Sequence, residues 1–422
     1  MGTGLFKLKD YQHGQVVELA RNPDYFMATR STTGGACRRC GSRNERVAVR
    51  AGARIAVNAS IVGERPTGLG FYALYLITAL DELGELLCVF TSRPDLVAAR
   101  HATVAPVPAA VRPERGARGH LRRLLWTQTG LRRLVRRERP KLLLNMMPEG
   151  LVRPPVPQVT IVHDLLPLLY PEEYPRQQHY FRHFVPAVLR HSRAVIAISE
   201  STRRDLVRFY PEIVPDRVHV VLSGYDARRF SQERAHAPSD ESPYALYVGN
   251  VMPHKNLHRL VEAFAIAARQ IPGRLVIRGA GRGLHVRALR ARIADLGLWP
   301  RVEWESYASA DELARLYQHA AMLLLPSLHE GFGLTALEAM ACGTPVITSN
   351  TSSLPEVVGD AAVLIDPLDT EALAHTIVRV FTDSDLAQAL SERGRRRAGL
   401  FSWDRTGRAV QSVLHRVLAE TA

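Results

Sequence analysis

From Arg54 onward the chain alternates short, nearly continuous apolar runs with longer amphipathic segments. The runs at 55–57, 86–90, 142–144, 159–162 and 195–198 are too short for helices and rich in branched residues, so each predicts a strand. A further run at 218–222 precedes His236-Ala-Pro-Ser-Asp-Glu-Ser-Pro243, a polar, proline-bearing stretch that reads as a joint between domains. A second alternation follows, with runs at 245–248, 275–277, 322–325, 346–348 and 363–365. Strand–helix repeats of this kind build parallel sheets, so the pattern predicts an α/β protein of two Rossmann-like, doubly wound domains, over 51–237 and 244–401. Residues 402–422 place Val410, Val413, Leu414 and Val417 at helical spacing behind an N-capping Ser402, and are expected to form a helix that crosses back to the first domain. Residues 1–50 are polar and aperiodic, and are expected to be a poorly ordered extension.

At 422 residues, 46% of them hydrophobic, the chain exceeds the roughly 250–300 residues at which a single core stops growing, in keeping with two domains. It shows no apolar run of about 18 residues and no apolar stretch of the secretory kind at its start, so a cytoplasmic location is expected. Cys88 and Cys342 lie in apolar segments and read as buried thiols; Cys37 and Cys40 form a CxxC without a second pair, too few ligands for zinc. The formal charge of +14 points to an anionic partner, whether nucleotide diphosphate, nucleic acid or acidic membrane surface. Part of that charge sits in 120–139, where Leu121, Leu124, Leu125, Leu131, Leu134 and Val135 recur at helical spacing among seven arginines. Such a face fits peripheral attachment to an anionic membrane, or equally a core-facing helix with a solvated basic side. Trp126 is its only interleaved aromatic, which argues against single-strand nucleic acid as a partner.

The candidate chemistry concentrates in 323–350, LLLPSLHEGFGLTALEAMACGTPVITSN. A strand leads into a Glu-Gly-Phe-Gly turn, and a helix beginning near Leu334 is stopped by Gly343-Thr-Pro345. Free amides at a helix start, reinforced by the helix dipole, form an anion site that glycines let a diphosphate approach. Gly331, Phe332, Gly333, Leu334 and Thr335 are therefore candidate contacts. Glu330 on the turn and Glu338 within the helix are placed for different partners, sugar hydroxyls for the first and a ribose diol for the second; the plainer alternative makes Glu338 a solvated helical residue. Earlier in the chain, Arg65-Pro-Thr-Gly-Leu-Gly-Phe71, with its Gly68 and Gly70, follows the first strand. Ala73 stands where a dinucleotide fingerprint needs its third glycine, and no acidic ribose ligand follows the second strand. His163 and Asp164 fall at the carboxyl end of a strand, the edge where such sheets hold ligands.

Glu330 and Glu338, with seven residues between them in HEGFGLTALEAMACGTPVITSN, resemble the signature of retaining family 4 glycosyltransferases of GT-B fold, mannosyltransferases among them. The likeness continues through Ser352-Ser-Leu-Pro-Glu356 and Asp366-Pro367 and covers most of 244–382. It implies an acceptor-binding first domain and a nucleotide-sugar-binding second domain facing across a cleft. It also implies transfer of a hexose to a glycan or lipid-linked acceptor in polysaccharide biosynthesis, with GDP-mannose the favoured donor, no other cofactor, no protein-bound metal and no nucleic acid. Tyr247-Val-Gly-Asn-Val-Met-Pro-His-Lys-Asn-Leu257 resembles the loop whose basic pair holds the donor diphosphate. Lys255 matches its lysine, while Asn250 stands at the other basic position, leaving one positive charge fewer that His254 or Arg282 would have to supply. The 65–71 segment resembles the family's glycine loop, which implies that Gly68 and Gly70 supply the close approach to donor phosphates and acceptor. The resemblance places the 278–283 glycine turn near the base and the His163–Asp164 pair beside the transferred sugar. Glu330, His163, Asp164 and Lys255 are then the expected catalytic set. Ser199 is either a functional serine of the family's turn or a plain N-cap. An epimerase of the same architecture and a noncatalytic sugar- or nucleotide-binding protein are the competing classes.

Overall fold

The computed structural model describes residues 6–10, 18–21, 55–64, 66–231, 243–281 and 283–421. Strands β1 (Phe6–Asp10) and β2 (Glu18–Arg21) form an antiparallel pair in a unit, Met1–Val47, separate from Ala48–Ala422. The rest of the expected N-terminal extension, with Cys37 and Cys40, lies outside the described residues.

In the larger unit, β3 (Ile55–Asn58), β4 (Leu87–Thr91), β5 (Thr103–Pro106), β6 (Leu142–Asn145), β7 (Gln158–Val162), β8 (Ala194–Ala197) and β9 (Val218–Val220) make one parallel sheet, ordered β5-β4-β3-β6-β7-β8-β9. The second sheet holds β10 (Tyr244–Val248), β11 (Arg274–Arg278), β12 (Val302–Glu305), β13 (Met322–Leu325), β14 (Val346–Ser349) and β15 (Val363–Ile365), ordered β12-β11-β10-β13-β14-β15, again parallel throughout. Helices cover both faces of such sheets, which is why inner strands such as Ile55–Asn58 and Leu142–Asn145 are buried at every position and read as apolar runs up to their closing asparagines. The two strands that the apolar pattern did not announce, β5 and β12, are edge strands: one ends in Pro106 and the other alternates Val-Glu-Trp-Glu, so neither carries such a run.

The C-terminal helix, Trp403–Glu420, begins at Ser402, whose hydroxyl accepts from the Arg405 amide, and packs on the helix Gly68–Glu82 of the first domain. Gly407 lies against Ala79, and Thr406 Oγ1 donates to the Leu222 carbonyl at 2.8 Å. Gly224 sits so close to the Ser402–Trp403 backbone that a Cβ there would come within 2.4 Å of it.

The basic segment departs from the single amphipathic face expected of it. It forms a helix over Gly116–Trp126, a π-helical turn over Thr127–Leu131 and a helix over Arg132–Glu138. The wider turn shifts the phase between its two halves. Leu131 and Val135 are buried, whereas Leu121 and Leu125 are 59% and 60% exposed, and Arg123 is buried on Glu149 instead of facing solvent.

Candidate active site

Each sheet reverses its strand order at its first strand: β3 lies between β4 and β6, and β10 between β11 and β13. Loops leaving the carboxyl ends of these neighbours diverge and open a crevice. The loop after β10 carries Lys255, the loop after β13 carries Glu330, and the loop after β7 opens with His163. Asn256, in the left-handed conformation at φ 63°, donates its side-chain amide to the carbonyls of Pro326 and Pro367 at 3.0 and 2.6 Å, which pins the Lys255 loop to the Glu330 loop.

Lys255 Nζ donates to both carboxylate oxygens of Glu330, at 2.7 and 2.8 Å, and Ser327 Oγ adds a third hydrogen bond at 2.7 Å. Burial works against ionisation of Glu330, but the Lys255 ammonium and the Ser327 hydroxyl outweigh it and hold the carboxyl below its ordinary range. The turn that follows is fixed from outside. The Glu330 amide donates to Ser352 Oγ, and Ser353 Oγ donates to the carbonyls of Glu330 and Phe332. Gly333, at φ 109°, then starts the helix Leu334–Ala341, which has neither a side-chain cap nor an acid in its first turn. The positive end of that helix is left open toward the crevice.

The same turn presses on the first domain. A Cβ on Gly331 would lie 2.4 Å from the His163 carbonyl and 3.1 Å from Asp164 Cβ. Ser199 Oγ accepts the Thr202 amide as the N-cap of the helix Glu200–Phe209, the plainer reading of this serine, and also donates to the Gly331 carbonyl at 2.7 Å. Glu356 reaches across to accept the amides of Glu200 and Ser201 at 2.9 and 3.0 Å, capping that helix from the opposite domain. Two further pairs span the crevice: His254 Nδ1 with Glu173 Oε2 at 2.5 Å, and His329 with Asp205 at 3.2 Å.

His163 is buried, which lowers its pKa and keeps the ring neutral. Its Nε2 lies 3.0 Å from the Met146 carbonyl, an acceptor only, so this nitrogen carries the proton. Tyr72 packs edge-on against the ring at 4.6 Å and lines a cavity of about 270 Å³ on its other side. Gly68, Leu334, Thr335 and Glu338 also line that cavity, together with the rings of Phe71, Tyr75, Tyr225, Phe230 and Trp403. The hydroxyl of Tyr72 and the indole nitrogen of Trp403 are buried there with no hydrogen-bond partner among the described residues. Glu338 accepts from Tyr317 Oη at 3.2 Å, and its burial raises the carboxyl pKa to about 8.

Lys255, Glu330, Gly331, His163 and Asp164 therefore form one cluster, and Gly68, Thr335, Leu334 and Glu338 a second, with Tyr72 between them. Other expected residues stand apart. Phe332 is buried against Phe401 and contributes its side chain to the core, Gly70 is buried beside Pro66, and the Asn250 side chain is exposed. His254 is committed to Glu173 and so does not replace the charge missing at Asn250; Arg282 lies outside the described residues. Cys88 and Cys342 are free, buried thiols as expected. Ser327, Asn256, Ser352, Ser353 and Glu356 carried no assigned role in the sequence, although the last three belong to the motif quoted above. No helix of the described residues is long and apolar enough to cross a membrane.

Residues 66–229 match the family described as Glycosyltransferase Family 4, and residues 229–397 the family described as Glycosyl transferases group 1. The chain is 28% identical over 333 residues to the O-antigen chain mannosyltransferase RfbU of Salmonella typhimurium, covering 77% of this chain and 90% of that one. It is 29% identical over 277 residues to the O-antigen chain mannosyltransferase B of Escherichia coli, covering 58% and 67%. Among solved structures, the sucrose-phosphate synthase of Thermosynechococcus elongatus superposes with a TM-score of 0.71 at 23% identity, over 87% of this chain and 99% of that one, a likeness of fold.

Proposed function

Because its two halves match these two models in turn, the chain belongs to the family 4 glycosyltransferases of GT-B fold, and from that premise we propose that it transfers a hexose, mannose first among the candidates, from a nucleotide-sugar donor to a glycan or lipid-linked acceptor in polysaccharide assembly. The observation that carries this reading is the Lys255–Glu330 pair beside the uncapped start of Leu334–Ala341. A donor diphosphate at that helix start would meet open amides, the dipole and the Lys255 ammonium, the groups that stabilise a departing anion best where water is excluded. Glu330 would take the sugar hydroxyls and His163 with Asp164 the far side of the ring, while Gly68, on the cavity wall, would let the first domain approach the phosphates. On this reading the acceptor hydroxyl attacks on the face the diphosphate leaves, the phosphate takes its proton, and the anomeric configuration is retained with charge met by protein groups alone. The neutral, carbonyl-bonded His163 suits a positioning role beside the sugar.

GDP-mannose is the donor proposed: the two O-antigen relatives are named for mannose transfer, and the sequence resemblance favours GDP as its carrier. Thermal-shift measurements against a panel of nucleoside diphosphates, followed by donor-hydrolysis and transfer assays, test it. GDP giving the largest shift is the expected outcome. No shift with any nucleoside diphosphate would remove the proposal, and interconversion of free donor without acceptor would replace it with an epimerase.

Glu338 gives a pH prediction. A ribose diol donating to Glu338 favours the carboxylate, yet the free protein holds this group protonated up to about pH 8. Binding below that pH must expel a proton, at a cost of about 1.4 kcal/mol per pH unit. GDP affinity is therefore expected to rise about fivefold from pH 7 to 8 and about twofold more before levelling off near pH 9, whereas Glu338→Gln should be weaker and flat across that range. Calorimetric titration at both pH values decides it; a wild-type affinity independent of pH would dissociate Glu338 from the ribose.

The exposed Leu121 and Leu125, beside the exposed Arg118 and Arg122, support peripheral attachment to an anionic bilayer from the cytoplasmic side. Vesicles containing phosphatidylglycerol should sediment the wild type, and Leu121→Gln/Leu125→Gln should weaken that association at least about tenfold. Sedimentation indifferent to anionic lipid would count against it.

A further inference from the structure

On the edge of the first sheet opposite the crevice lies a hollow of about 460 Å³, built where three neighbouring strands begin. Pro157, Arg193 and Arg217 directly precede β7, β8 and β9, which adjoin in that order, so their entry residues stand side by side along the amino edge. The crevice lies beyond the carboxyl ends of the same strands, about 15 Å away across the sheet. Buried side chains hold the hollow in shape. Gln158 donates its amide to the carbonyls of Leu151 and Val188, at 2.8 and 3.3 Å, and accepts the Leu151 amide at 3.2 Å. It thereby fastens the 151–157 loop to the end of the helix Val185–Arg190, and these are two walls of the hollow. Along that loop Pro154, Pro155 and Pro157 each fix a φ angle, which leaves the backbone carrying Arg153 little freedom.

Arg153, Arg190, Arg193 and Arg217 line this hollow, all exposed, and none makes an ion pair among the described residues. Arg132 donates to the Arg153 carbonyl and brings a fifth guanidinium alongside, its Nε buried with no hydrogen-bond partner among the described residues. No carboxylate stands in the lining. Elsewhere the arginines are matched with acids, as Arg93 is with Asp95, Arg123 with Glu149 and Arg292 with Glu262. Arg190 answers the negative end of its own helix, a demand the other three do not share. Guanidinium groups set round one concave wall repel one another until an anion of several charges enters, and their planar forks match phosphate oxygens in pairs. The only apolar side chains in the lining are Val156 and the prolines, so nothing there would enter a bilayer; Leu121 and Leu125 lie outside it.

We propose that this hollow is a binding site for a soluble oligophosphate, a chain of linked phosphates carrying no lipid, separate from the donor site. It goes beyond the glycosyl-transfer reading and does not depend on it. Calorimetric titration of tripolyphosphate into the full chain, with GDP present to fill the donor site, compares the wild type with Arg153→Ala/Arg193→Ala. The wild type should bind, the double variant should bind at least about tenfold more weakly, and sulfate should bind the wild type at least about tenfold more weakly than tripolyphosphate does. GDP titrated alone should bind both proteins alike, which shows the variant to be folded. No tripolyphosphate binding by the wild type, or equal binding by the two proteins, overturns the assignment. So does sulfate matching tripolyphosphate, which marks a general attraction of anions to a basic surface. Phosphatidic acid vesicles that sediment the wild type but not the double variant would place the phosphate on a lipid headgroup and overturn the soluble ligand. Failure of GDP to bind the wild type, with arginine-dependent tripolyphosphate binding intact, would instead strike the donor reading and leave this site standing.

Discussion

Replacing Lys255 with alanine is expected to cut transfer by about 100- to 1000-fold, the usual loss when one preorganised group facing developing charge is removed. The same change should also cost stability. Glu330 and Lys255 are only 13% and 14% exposed, so Lys255→Ala leaves a largely buried carboxylate without its cation, at a cost of about 3 kcal/mol. For domains of this size that lowers the melting midpoint by about 6–12 °C. The two effects can be separated. Adding Glu330→Gln to Lys255→Ala neutralises the stranded charge and should return most of the midpoint, while activity stays low. Donor turnover with radiolabelled nucleotide-sugar and calorimetric melting read the two quantities. Transfer within tenfold of wild type in the single variant would remove Lys255 from the chemistry, and a double variant no more stable than the single one would show that the pair was not the source of the loss.

Gly331→Ala is expected to lower kcat/KM by about 100-fold with little change in melting. The methyl group would stand 2.4 Å from a backbone oxygen of the opposite domain, where no side chain can rotate away. Within either domain alone the position is unstrained, so each should fold normally. The full overpacking cost of up to about 3 kcal/mol falls on bringing the domains together. Small-angle scattering with GDP present should show a larger radius of gyration than wild type. Unchanged kinetics would mean that this contact does not form during turnover.

The sheets were readable because inner strands covered on both faces must be apolar throughout; edge strands escape that demand, and β5 and β12 were missed for it. Lys255, Glu330 and Glu338 were legible through a motif, and the turn at Gly331 and Gly333 through its glycines. The partners that draw the crevice together were not. Glu173 with His254, Asp205 with His329 and Glu356 with the amides of Glu200 and Ser201 are separated by 81 to 156 positions, and no periodicity in a single chain pairs groups so distant. The helical wheel of 120–139 failed for a different reason. Its arithmetic assumes one constant pitch, and the π turn at Thr127–Leu131 changes that pitch midway.

The contact between Gly224 and the Ser402–Trp403 backbone is expected to limit how the two lobes move. The polypeptide runs past itself there, Gly224 against Ser402–Trp403, so two segments side by side are expected to serve as a pivot. Such an attachment is expected to leave one swing open and to resist sliding or twisting. Any bulk added at Gly224 should therefore alter the jaw's travel, even though it lies on neither gripping face.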